Sequence, residues 1–166
     1  MDSVRSFVAI DFETAQKKRA SPIQIGVVRV IDGRVGQPFT APVLPPPEFR
    51  WFDPDLQRIH GLTPADVEGA QEWDAILSRL GRFTMAPDGS RLPLVAHNAS
   101  FERSVIAQTS AAVQTTPPAF TYYCTVKLSR LVDPIGPGGP PNHKLDTLAA
   151  RYGIEQLHHH DAGDDA

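Results

Sequence analysis

The chain has 166 residues, 41% of them apolar, and a formal net charge of −3, enough length and apolar content for one folded domain with its own core. It holds no apolar run long enough to span a bilayer, and its start, "MDSVRS", lacks the apolar stretch of a signal peptide, so a cytoplasmic protein without membrane association is expected. Cys124 is the only cysteine, which excludes an intrachain disulfide, and the absence of a basic excess excludes a general nucleic-acid-coating surface.

The acids are unevenly placed. Asp161, Asp164 and Asp165 all fall in the last six residues, and without them the acids equal the 16 bases. A neutral bulk with clustered acids points to a local site suited to cations.

In chain order, "RSFVAIDF" reads as a strand, with Val8, Ile10 and Phe12 on one face and Ala9, Asp11 and Glu13 on the other. "KKR" at 17–19 is a polar loop closed by Pro22. "IQIGVVRVIDGRVGQPFTAPVL" reads as strand, turn, strand, with Asp32-Gly33 as the hairpin signal. "IHGLTPADV" at 59–67 is expected to be a loop feeding a helix, with Thr63 as N-cap and Pro64 at the first helical position.

A second helix fits 71–83, where Trp73, Ile76, Leu77, Leu80 and Phe83 keep helical spacing. "LPLVAHNA" at 92–99 is a short buried strand, and Ser100 suits the cap of a helix over 101–112 whose Val105 and Ile106 face inward. "FTYYCTVKLSRLV" is a strand followed by a short helix, and 133–142 is a Pro/Gly loop. "KLDTLAARYGI" is an amphipathic helix ended by Gly153. Strands first, then alternating helices and strands, imply a single α/β domain with a mixed sheet over 1–166.

Three stretches carry chemistry. Asp11 and Glu13 lie on one side of a strand, where two close acids repel unless a hard divalent cation sits between them. For an isolated pair a solvent-exposed strand end is the more ordinary reading. Glu102 follows the strand 92–99 on the first turn of a helix, where the helix dipole alone also favours an acid. Finally, "HHHDAGDDA" suits His160 in a loop, Asp161 as a cap and Asp165 on the helix that follows. Neighbouring histidines diverge, and no tetrahedral Zn²⁺ ligand set accompanies them.

Taken in order, "DFET", "HNASFE" and "HDAGDDA" (His-x4-Asp) resemble the three motifs of the DEDDh 3′–5′ exonucleases of the DnaQ-like superfamily, the family of the bacterial DNA polymerase III epsilon subunit and ribonuclease T. "IHGLTP" at 59–64 resembles the family's segment between motifs one and two, so the resemblance spans essentially the whole chain. It implies an α/β, ribonuclease H-like fold with a central mixed sheet of about five strands, the first three antiparallel, flanked by helices. It also implies two divalent cations, Mg²⁺ or Mn²⁺, held by Asp11, Glu13, Glu102 and Asp165, with His160 as general base and nucleoside 5′-monophosphates as products.

By the same resemblance Thr14, Ile59 and His60 would hold the terminal nucleotide, and His97, Asn98 and Phe101 would line the site. His60 suits a loop histidine with a backbone partner as well, and Lys17, Lys18 and Arg19 suit either phosphate contacts or a solvated loop. The expected substrate is single-stranded DNA with a free 3′ end, and the expected partner a polymerase or repair protein. The same motifs fit a 3′–5′ exoribonuclease of the ribonuclease T type, and a third reading is a catalytically impaired domain that binds nucleic-acid ends or a partner. Two features depart from the family. Glu102 stands where the family has aspartate, placing its oxygens about 1.5 Å further out. The chain also ends one residue after Asp165, so it is expected to lack the family's helix beyond that residue.

Overall fold

The computed structural model describes residues 6–155 and 162–166. Its centre is a seven-stranded mixed sheet: β1 (Phe7–Thr14), β2 (Pro22–Ile31), β3 (Arg34–Val35), β4 (Phe39–Leu44), β5 (Gln71–Glu72), β6 (Leu94–Ala96) and β7 (Tyr122–Cys124). The strand order is β5-β4-β2-β1-β6-β7, with β3 also paired to β2. β1, β2 and β4 are antiparallel neighbours, while β6 joins β1, and β7 joins β6, in parallel. The five longer strands match the expected sheet, and the two-residue β3 and β5 extend it.

Local chemistry explains the hairpin. Asp32 and Gly33 both have positive φ, 50° and 78°, the pair of angles a tight turn between right-twisted strands requires. Near the other end of β1 the register slips between Glu13 and Thr14: Glu13 faces Gln24 but Thr14 faces Pro22, so β2 carries one extra residue beside the acid pair.

Six α-helices lie among the described residues: α1 (Pro54–His60), α2 (Trp73–Phe83), α3 (Ser100–Ala112), α4 (Thr125–Val132), α5 (Leu145–Arg151) and α6 (Ala162–Asp165). α1 corrects the loop expected at 59–67, since Ile59 and His60 close a helix. Asp53 Oδ1 accepts the Asp55 N–H, Pro54 begins the helix, and Gly61 ends it in the left-handed region. Thr63 and Pro64 do start a helical turn, a 3₁₀ segment Pro64–Val67 in which Asp66 Oδ2 accepts the Thr63 N–H at 2.7 Å. Ser100 is the first helical residue of α3 and not its cap; its hydroxyl donates to Asn98 Oδ1 at 2.9 Å. No helix among the described residues is long and apolar enough to cross a membrane.

The period-two pattern of β1 decides the layers. Val8, Ile10 and Phe12 are buried in one core with Trp73, Ile76, Leu77 and Leu80 of α2 and Val105 and Ile106 of α3. The opposite face of β1, carrying Asp11 and Glu13, receives α6. Trp73 anchors the core, its ring centroid 6.0 Å from that of Phe12 and its Nε1–H donating to Ser110 Oγ at 2.9 Å. Both residues are buried. Ser110→Ala leaves the indole N–H without its partner and is expected to cost about 1–3 kcal/mol of unfolding free energy, read from urea denaturation.

Candidate active site

The site assembles where the chain's two ends meet on β1. Asp11 and Glu13 come from alternate positions of one strand, and Asp165 comes from α6, packed on the same face. One carboxylate oxygen from each of Asp11, Glu13 and Asp165 lies within 4.8 Å of the other two. Acids far apart in the sequence thus lie together.

Glu102 adjoins this group without belonging to it. It is 1% exposed, and its Oε2 is buried without a hydrogen-bond partner among the described residues. Burial pushes its carboxyl up to about 8, and the negative charge of Asp11 pushes the same way, while the Arg19 guanidinium opposes them. Glu102 is therefore mostly neutral at pH 7 in the metal-free protein.

This donor set fits a hard divalent cation. Such ions take oxygen ligands, with bonds of about 2.1 Å for Mg²⁺, and their charge relieves the repulsion between close carboxylates. The orphaned Oε2 of Glu102 is a further oxygen that a cation, or a proton, would satisfy.

The expected substrate residues divide into three groups. Phe101 packs partly against the core, and the Arg19 guanidinium carbon lies 4.1 Å from its ring centroid. Of the two readings of the 17–19 loop, Arg19 thus has a definite place, beside Phe101 and close enough to Glu102 to affect its ionisation. Thr14, at the end of β1, is buried. Its loop is braced as the Ala15 N–H donates to Ser21 O at 2.8 Å and the Ser21 hydroxyl to Lys18 O at 2.6 Å.

His97 and Asn98 shape the turn from β6 into α3. His97 Nε2–H donates to the carbonyl of His143, and Nδ1 accepts from the Thr125 hydroxyl, each at 3.0 Å. Burial holds His97 below its ordinary range, partly countered by the His143 carbonyl and the charges of Asp165 and Asp146. It therefore acts as a neutral brace between β6, α4 and the loop before α5. Asn98 adopts φ 70°, the left-handed conformation that asparagine tolerates at such turns.

Ile59 and His60 form the third group. Ile59 is half-exposed on α1, and His60 Nδ1 accepts the Leu62 N–H at 3.0 Å, the backbone partner that the alternative reading allows. His160 and Asp161 lie outside the described residues.

Two residues that sequence reasoning missed are Gln24 and Gly26 of β2. They pair directly with Glu13 and Asp11. That register is the one signal that places them beside the acids.

Residues 8–166 match the exonuclease family of the RNase T type. A Mycobacterium tuberculosis protein described as a bifunctional exonuclease/endonuclease is 31% identical over 169 residues, covering 97% of this chain and 25% of that protein. A PolC-type DNA polymerase III from Caldanaerobacter subterraneus subsp. tengcongensis is 29% identical, covering 96% of this chain and 11% of the polymerase. The chain thus spans about a quarter or less of these curated relatives. Among solved structures, E. coli exonuclease I in complex with a dT13 oligonucleotide superposes with a TM-score of 0.77 at 21% identity, covering 96% of this chain and 38% of that one. That likeness establishes the ribonuclease H-like fold. With three ordered motifs, a carboxylate cluster built from both ends of the chain, and a family match over nearly its full length, this chain belongs to the exonuclease family of the DnaQ-like superfamily.

Proposed function

We propose that this chain is a 3′–5′ exonuclease domain that hydrolyses the terminal phosphodiester of single-stranded DNA with the help of two divalent cations, Mg²⁺ or Mn²⁺. The observation that carries the reading is the meeting of the Asp11, Glu13 and Asp165 oxygens within 4.8 Å, at the face of the sheet where motifs one and three converge. Exonuclease I, which shares the fold, binds a dT13 oligonucleotide in its crystal structure, and this supports single-stranded DNA as the substrate.

Asp11, Glu13 and Asp165 would hold the cations, with Glu102 as a fourth oxygen donor once its proton is displaced. Bound there, the cations would supply Lewis acidity and positive charge for the attacking water and the leaving 3′-oxygen. The chain's own groups do the rest. The Arg19 guanidinium, laid over the Phe101 ring, offers a planar group and a positive charge beside the carboxylates, a combination that would meet a base and a phosphate without regard to sequence. His97 holds the β6–α3 turn, so that Phe101 and Glu102 enter the site from a fixed helix start. By the family resemblance, His160 takes the proton of the attacking water on an imidazole nitrogen, a task suited to a group that titrates near neutrality. The PolC-type relative supports a further reading, that the domain works alongside a polymerase.

An oligonucleotide labelled at its 5′ end is expected to shorten stepwise in Mg²⁺ or Mn²⁺ and to survive in EDTA. A 3′ label should leave as a nucleoside 5′-monophosphate. Faster digestion of the matching RNA would move the substrate to the exoribonuclease type. Inertness toward both strands, together with no Mn²⁺ uptake in calorimetry, would leave a domain that binds ends without cutting them.

A further inference from the structure

α6, which carries Asp165, packs on the sheet, on β2 foremost and on β1 beside it. The surface beneath α6 therefore bears on where Asp165 sits. Gln24 pairs with Glu13, and Gly26 pairs with Asp11. Residues directly opposite in an antiparallel pair project to the same face. Gln24 and Gly26 consequently share the face of the two motif-one carboxylates and lie directly under the incoming segment.

Each does a separate job. A Cβ on Gly26 would lie 1.7 Å from the carbonyl oxygen of Ala162 and 2.5 Å from the Gly163 nitrogen, so only glycine lets the α6 backbone down onto the strand. Gln24 Oε1 accepts the N–H of Ala162, the first residue of α6, at 3.0 Å. Ala162 is itself 0% exposed, pressed into the sheet. Gly26 sets the depth of the helix, and Gln24 fixes its first amide three residues before Asp165.

We propose that Gln24 is a positioning residue for the nuclease reaction: it acts through Ala162 and never on substrate, and it holds the Asp165 carboxylate in register with Asp11 and Glu13. This rests on the reading of the cluster as a cation site. A group that orients a metal ligand in this way typically governs metal affinity or activity by about 10–100-fold.

The test is Mn²⁺ binding to the protein without nucleic acid, followed by calorimetry and by the electron paramagnetic resonance of free Mn²⁺, alongside steady-state kinetics on an oligonucleotide. Gln24→Leu removes the acceptor and is expected to weaken Mn²⁺ binding about tenfold and to lower kcat with KM little changed. Gln24→Asn draws the oxygen back by about 1.5 Å and should fall with it, without placing an apolar group at the site. Gln24→Glu keeps an oxygen where Ala162 needs one and should restore binding to within about threefold of wild type. The proposal is overturned if Gln24→Leu and Gln24→Asn bind Mn²⁺ as wild type does while Asp165→Ala does not, or if Gln24→Glu is as impaired as Gln24→Leu. Unchanged Mn²⁺ binding in Asp165→Ala would overturn the cation reading itself, and the positioning role with it.

Discussion

Asp11→Asn is expected to lower kcat for metal-dependent release of nucleotides by about 10³-fold or more while leaving the fold intact. The substitution keeps the volume and one oxygen but removes the charge. Asp11 sits where the largest number of site groups meet: one of its oxygens groups with Glu13 and Asp165, and its charge is felt by the buried Glu102. A hard cation bound by carboxylates loses both a ligand and a neutralising charge when that position becomes an amide. The core-facing residues of β1, Val8, Ile10 and Phe12, are untouched, so the circular dichroism spectrum and the urea midpoint should match wild type. Residual activity within about tenfold of wild type would remove Asp11 from the cation site.

The parts of the fold legible in the sequence are those where burial writes a period. β1 alternates because one face packs on α2 and α3, and α2 shows helical spacing because Trp73, Ile76, Leu77 and Leu80 fill the same core. α1 buries no residue, so no period marks it, although its Asp53-Pro54 start and Gly61 stop are both present. In the site, the acids of motifs one and three are legible as types at a spacing. The environment of Glu102 is not: burial raises its pKa, Asp11 on β1 and Cys124 on β7 push the same way, and Arg19 of the 17–19 loop opposes them. Gln24 is less legible still, because its partner, Ala162, lies 138 residues away. Arg19 reads as one of three loop cations, and only the position of Phe101 distinguishes it.

Glu102→Gln should separate stability from function in opposite directions. In the metal-free protein the folded-state pKa of Glu102 is about 8, well above its ordinary value of 4.5, so the folded chain binds the proton more tightly than the unfolded one. Stability from this group is fully present below the unfolded value and is lost as pH rises toward the folded one. At pH 7 the loss amounts to about 3 kcal/mol. Glutamine is neutral at every pH and removes that loss, though it buries an amide group with no partner at Oε2, at a cost of about 1 kcal/mol. The variant should therefore equal wild type in unfolding free energy near pH 5 and exceed it by about 2 kcal/mol at pH 7, measured by urea denaturation in EDTA. Titration of His97, whose folded-state pKa is lowered and which works in the opposite sense, is common to both proteins and cancels from the difference. Parallel stability curves from pH 5 to 8 would mean that Glu102 is ionised in the folded state. With Mn²⁺ present the order should reverse, because an amide cannot supply the anionic oxygen. Weaker Mn²⁺ uptake and activity at least about 10²-fold lower are expected. On those outcomes Glu102 would be a carboxylate that costs the empty protein stability and returns it only when a cation displaces its proton.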